Sequence, residues 1–169
     1  MLTRWIALAL AALMVAACGP KVLEEGNLDR HLTFEAVRID PAAHQGKRMM
    51  VGGEIIEVRN LKETTEIDVL EKPLAADRSP VRGDISRGRF VLIQPSFIDP
   101  NLFKAGRRLT ATATVVGDRV QKIGEAEIRV PVFESPKIHL WPQEQVDPHH
   151  LHRHGWPEVN FGFGYYHGW

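Results

Sequence analysis

RRLTATATVVGD, residues 107 to 118, alternates over eight consecutive positions. Leu109, Ala111, Ala113 and Val115 fall on one face, and Thr110, Thr112, Thr114 and Val116 on the other. This is the two-residue period of a β-strand. The small alanines at inward positions suit the narrow interior of a small barrel. Gly117-Asp118 has the composition of a turn.

The same period extends outward from this stretch. TTEIDVLE (residues 64 to 71) places Thr65, Ile67 and Val69 on one face and Glu66 and Asp68 on the other. EAEIRVPVFE (125 to 134) alternates again, with Ala126, Ile128, Val130 and Val132 expected inward. Pro131 has no N–H for a ladder, so this strand is expected at an edge or at a bulge. GRFVLIQP (88 to 95) carries a short apolar run, Phe90 to Ile93, as in a strand buried on both faces. MMVGGEIIEVRN (49 to 60) has two adjacent glycines inside a strand pattern, the mark of a bulge or tight bend. EKPLAADRSPVRGDIS is a long polar connection, and SFIDPNLFKAG is a loop or short helix. Before the strands, a short element is expected near Leu32 to Val37. Asp40 then caps a single helical turn with Pro41 inside it and Gly46 at its end. KIHLWP, residues 137 to 142, closes the folded part. Five or six strands with little helix predict a mainly β fold: a small antiparallel, OB-like, partly open barrel, with a compact β-sandwich as the alternative. Charged outer positions imply one wet face.

The amino terminus carries a different signal. Arg4 precedes an uncharged run from Trp5 to Ala17. A basic n-region before an apolar h-region is the layout of a secretory signal. The run is far shorter than the ~20 residues a helix needs to span a bilayer. Small residues then precede Cys18, the single cysteine of the chain. Val15-Ala16-Ala17-Cys18 resembles the bacterial lipobox. The resemblance implies a thioether lipid on Cys18, cleavage just before it, and acylation of the new amino terminus. Gly19 follows, where an Asp would resemble an inner-membrane retention signal. The expected organisation is a lipoprotein signal peptide (1–17), a lipidated tether (18–31), a β domain (32–142) and a His-, Gly- and aromatic-rich tail (143–169).

Twenty-one basic residues balance 21 acidic ones, so no basic face points to nucleic acid. In the tail, His149, His150, His152 and His154 cluster. Imidazoles in such a tract bind Zn, Cu or Ni, or change charge between pH 5 and 8. Against this stands the plainer reading of a polar tail, and no metal or cofactor site is assigned. NFGFGYYHGW suits a membrane interface, a sugar-stacking patch or a flexible end. No nucleophile elbow, P-loop or dinucleotide fingerprint is present, and no catalytic residues are expected.

Several short motifs occur in a familiar order. They are Cys18 at the lipobox, Gly52-Gly53-Glu54-Ile55, Thr65-Glu66-Ile67, Pro73-Leu74, Ser86-Arg87-Gly88-Arg89-Phe90, Phe97-Ile98-Asp99-Pro100, Gly106-Arg107, Ile123-Gly124-Glu125, Val130-Pro131-Val132 and Leu140-Trp141-Pro142. Residues 18 to 142 thereby resemble the Slp family of bacterial outer-membrane lipoproteins, named for starvation-inducible members. The resemblance implies a non-enzymatic lipoprotein, held in the outer membrane through Cys18, that serves envelope maintenance under starvation or stress. It brings no catalytic residues. Its charged members Arg89, Asp99, Arg107 and Glu125 are expected to be turn caps and ion pairs. The alternative function is a periplasmic metal- or small-ligand-binding module using the His-rich tail. A weaker one is an envelope hydrolase.

Overall fold

A computed structural model of the protein describes residues 27–143. One short helix, α1 (Phe34–Ile39), precedes a 3-10 turn (Ala42–His44). Six strands follow: β1 (Arg48–Asn60), β2 (Thr65–Glu71), β3 (Arg89–Gln94), β4 (Arg108–Ile123), β5 (Ala126–Glu134) and β6 (Ile138–Leu140). They form one sheet, β1-β2-β3-β5-β4-β6, in which β1 also pairs with β4. The sheet therefore closes on itself as an uneven ring, in keeping with the OB-like barrel the strand pattern suggested. One pairing departs from the antiparallel expectation: β3 runs parallel to β5, Val91 opposite Val132.

The closure depends on β1 changing partners midway. Arg48 to Glu54 pair with β4, and Gly53 to Asn60 pair with β2, so Gly53 faces Leu109 on one side and Glu71 on the other. At that crossing the backbones are too close for a side chain. A Cβ on Gly53 would lie 2.0 Å from the Leu70 carbonyl oxygen, and one on Gly52 2.6 Å from the Leu74 side chain. The glycine pair is the bend the sequence pointed to.

The barrel core contains Val51, Ile55, Ile67, Val69, Phe90, Leu92, Leu109, Ala111, Ala113, Val115 and Phe133. The inward face of 109 to 115 is as the alternation required. Thr33 caps α1 by accepting from the Ala36 N–H, which lets Phe34 and Val37 plug one end of the barrel. Phe34 sits 5.9 Å from Phe90 and 6.4 Å from Phe133, ring centre to ring centre, and Phe90 meets Phe133 edge-on at 5.4 Å. Asp40 does accept from Ala43 N, and Gly46 ends the turn at φ +78°.

Two readings change. Gly117-Asp118 is not a turn; β4 runs through it to Ile123, with a register shift between Val115 and Gly117. Gly124-Glu125 makes the turn instead. The extra residue bends β4 and the arm it forms with β5. On β5, Val130 and Val132 lie outside the barrel core, in a second cluster with Val91 flanked by Ile93 and Ile128, and Ala126 is exposed. Phe133 takes the inward position. Pro131 lies just past the shift, opposite Asp118 and beyond the β3 pairing, where no donor is needed.

A methyl group at Gly53 must displace backbone, not the end of a flexible side chain. Gly53→Ala is expected to lower unfolding free energy by about 3 kcal/mol, the upper range for overpacking. Gly46→Ala, in open space but left-handed, is expected to cost about 1 kcal/mol. Denaturant unfolding of both variants checks the order; equal costs would show that the crossing is not constrained.

Candidate functional site: a polar cleft and a clamped outer face

The β2–β3 connection, residues 72 to 88, folds back over the crossing instead of leaving the barrel. Lys72 N–H donates to Gly52 O at 3.0 Å, and Glu71 N–H to Gly88 O at 2.9 Å. The Thr110 hydroxyl holds Arg78 O at 2.8 Å, and the Arg108 guanidinium holds Pro80 O at 2.9 Å. Arg78 is left-handed at φ +69°, after a turn in which Asp77 accepts from Ser79. The return places two ionisable side chains under cover. Glu71 is 2% exposed and Lys72 3%. Glu71 accepts from the Arg87 guanidinium and, at 3.0 Å, from the Arg87 N–H. Lys72 donates to Gly83 O, with Glu54 at 3.9 Å. Arg87 also stands over the Phe34 ring, 5.8 Å from its centre.

Above these groups is a cleft of about 220 Å³, walled by Leu32, Phe34, Met49, Met50 and Leu74. A neighbouring cleft of about 400 Å³ shares Leu32, Met49 and Met50 and adds Arg30 and Arg78 at its rim. Together they make a groove between the amino-terminal segment and the β2–β3 connection, lined by these apolar side chains and by charged ones of both signs, Arg30, Arg78, Lys72 and Arg87 with Asp29 and Glu71. Removing Arg87 would leave the Glu71 carboxylate buried without its counter-charge. Arg87→Ala is expected to cost about 2–3 kcal/mol, and adding Glu71→Gln to that variant to recover part of it. A double-mutant cycle by chemical unfolding measures both; strict additivity would remove the coupling.

A second polar network lies on the other side of β2. Glu66 accepts from Arg119 at 2.6 and 2.8 Å and from Arg59 at 3.3 Å. Asp68 accepts from Arg59 and from Gln121, each at 2.8 Å. The bent β4–β5 arm thus clamps the outer face of β2, which is not wet at Glu66. The Arg119 hydrogen bond, opposed by burial and aided by Arg59, holds the Glu66 carboxyl below its ordinary range, and both guanidinium groups are held more firmly protonated. A carboxyl lowered in the folded state contributes stability above its unfolded pKa, about 4.3, and loses it as pH falls through the folded value. Glu66→Gln is therefore expected to be about 1–2 kcal/mol less stable than the parent at pH 7. The gap should narrow between about pH 5 and pH 3. Unfolding curves across that range test the sign; a constant gap would rule out the clamp as its source.

The residues singled out from sequence do not converge. Arg107 holds two carbonyls, Leu102 O at 2.8 Å and Trp141 O at 2.7 Å, as a loop-fixing residue should. Asp99 forms its own turn, accepting from Asn101 N at 2.8 Å. Arg89 opens β3, and Glu125 sits in the β4–β5 turn. Cys18, His149, His150, His152 and His154 lie outside the described residues. Among the described residues, no group of three or more His, Cys, Asp and Glu is placed to hold a metal. No described helix is long and apolar enough to cross a membrane. Sequence reasoning missed Glu71, Lys72 and Arg119. Their signal in sequence was weak: Glu66 and Glu71 stand on strand TEIDVLE, and the cations that clamp them, Arg119 and Arg87, lie 53 and 16 positions away.

Against known proteins, the chain matches the model of the outer membrane lipoprotein Slp family over residues 15–169. The chain belongs to that family. Family membership places it at the outer membrane as a lipoprotein. It is 26% identical over 162 residues to outer membrane protein Slp of Escherichia coli K12, covering 90% of this chain and 86% of that one. An uncharacterised protein of Haemophilus influenzae is 28% identical over 123 residues, covering 72% of this chain and 66% of that one. Among solved structures, a putative aspartyl-tRNA synthetase from Leishmania major is similar at TM-score 0.40 and 11% identity, over 79% of this chain and 25% of the other. Schizosaccharomyces pombe Pot1pC bound to ssDNA is similar at TM-score 0.32 and 15% identity, over 70% and 88%. Likeness at these scores carries no argument about this chain.

Proposed function

We propose that the protein is a non-enzymatic envelope lipoprotein, anchored by lipid on Cys18 after removal of residues 1–17. In this reading the β domain acts as a scaffold or contact module in envelope maintenance under starvation or stress. One observation carries the non-enzymatic part: the buried ionisable side chains of the domain are already engaged. An enzyme of the hydrolase type needs an acid, base or nucleophile free to turn towards a substrate. Here Glu71 is bound by Arg87, Lys72 by Gly83 O, and Glu66 by Arg119 and Arg59. The outer β2–β3 face, used by ligand-binding barrels of this topology, is filled by the protein's own arm. The guanidinium groups on that face, Arg59 and Arg119, are paired with Asp68 and Glu66, an arrangement that does not favour a phosphate backbone.

The anchor is testable directly. Cells expressing the full chain should place a processed, palmitate-labelled form in the outer membrane. Cys18→Ser, or treatment with globomycin, should abolish label and processing and remove the protein from that fraction. A processed Cys18→Ser chain still found in the outer membrane would overturn the anchor.

A further inference from the structure

We propose that the end of the barrel bearing α1 and the Arg30–Arg78 groove is a phospholipid-contacting face, which lies on the bilayer and fixes how the domain stands on it. The proposal rests on the anchor reading above.

Three observations point the same way. The first is where the chain enters. Asp29 N–H donates to Arg48 O at 2.9 Å, so the segment leading from Cys18 arrives at the start of β1. Asn27 lies nine positions after Cys18, a reach of about 30 Å at full extension.

The second is the surface at that end. Ile39 on α1 is 72% exposed and Ile85 in the β2–β3 connection 65%. The two segments meet, because the Arg38 side chain packs 3.3 Å from the space a Cβ on Gly88 would fill. Large exposed aliphatics on a rigid end suit the headgroup–acyl boundary. The third is charge. Arg30 and Arg78 line one cleft together with Asp29, Arg87 lines the other together with Glu71 and Lys72, and Arg38 precedes Ile39 on α1. Guanidinium groups pair with phosphate through several donors, and keep that capacity while also pairing with Glu35 or Glu71. Basic residues near a leaflet with anionic lipids each add attraction.

The opposite end gives the contrast. Leu61 and Phe97 are also exposed, at 53% and 77%. Asn60 ties their loops together through Ile98 O at 3.0 Å and Ile98 N at 3.3 Å. They lie beyond the Thr65 end of β2, whereas Ile85 and the groove lie beyond its Glu71 end. The length of β2, about 20 Å, separates the two ends, and the tether is attached at only one.

The single native cysteine makes the test clean, since a lipidated Cys18 has no thiol to label. Ile39→Cys, Ile85→Cys, Leu61→Cys and Phe97→Cys are each made in the full chain and labelled with an environment-sensitive dye. The processed proteins are reconstituted in vesicles of phosphatidylethanolamine and phosphatidylglycerol containing a lipid-borne quencher. Labels at 39 and 85 should shift to the blue and be quenched, and those at 61 and 97 should not. Equal behaviour at both ends, or quenching at 61 and 97 alone, overturns the proposal.

A second measurement does not need the anchor. The unlipidated chain of residues 19–169, without the apolar leader, should bind the same vesicles weakly in sedimentation. Ile39→Glu with Ile85→Glu should reduce that binding about tenfold or more, the factor that 1.4 kcal/mol of lost apolar transfer produces, while the thermal unfolding midpoint stays within about 2 °C. Unchanged binding overturns the face even if Cys18 proves to be the anchor. Loss of binding with no lipid on Cys18 upholds the face and overturns the anchor.

Discussion

The close approach at Gly52 and Gly53 is the constraint on which the rest of the molecule depends. A ring closed by five pairings must have one strand that serves two neighbours, and β1 does so by bending where it has no side chains. The Leu70 carbonyl fills the space of the missing Cβ at Gly53. The bend brings the end of β2 against the middle of β1 and turns the next residue, Lys72, onto Gly52 O. The β2–β3 connection must then run across the barrel wall. Covering the wall buries Glu71 and Lys72, and buried charge is tolerated only with partners at hand. Arg87 and Gly83 O meet that requirement. The polar cleft is thus a consequence of how the ring closes.

A second bend produces the second layer. The register shift between Val115 and Gly117 tilts the β4–β5 arm so that Arg119 and Gln121 reach β2. Val130 and Val132 close on Val91 beneath it. Apolar contact and ion pairing are complementary here. The valines exclude water from the outer face, and water exclusion strengthens the Arg119–Glu66 pair while raising the cost of losing either member.

Much of the wall was legible in sequence because alternation reports it directly. Leu109 to Val115, Thr65 to Val69, Phe90 to Ile93 and the glycine bend all follow from a period of two and the absence of Cβ atoms. The resemblance of the ordered motifs to a lipoprotein family also stood in the sequence. Two features were misread around the β4–β5 arm. The extra residue at Val116 carries β4 on through Gly117-Asp118, whose composition read as a turn, and β5 is buried on both faces from Val130 to Phe133, so alternation did not report which face was inward. The ion pairs were hidden for a different reason: Arg119 and Glu66 are 53 positions apart, and no local pattern links them. Arg107 and Asp99 behaved as their local chemistry suggested, since a turn aspartate and a carbonyl-binding arginine act on neighbours within a few residues.

A short tether changes what a surface contact must achieve. A free protein that lies on a bilayer through two isoleucines and a few arginines would bind weakly, because it must offset the loss of translational freedom. With Cys18 lipidated as proposed, that cost is met by the lipid, and the domain samples the bilayer at an effective concentration in the millimolar range typical of short linkers. A contact with a dissociation constant near that value is then occupied about half the time or more. Rigidity does the rest. Phe34 fixes α1 to the barrel core, and the hydrogen bonds of Arg78, Pro80 and Lys72 fix the β2–β3 connection to its wall. A weak lipid contact at one end therefore orients the whole barrel, and sets which loops face away from the membrane.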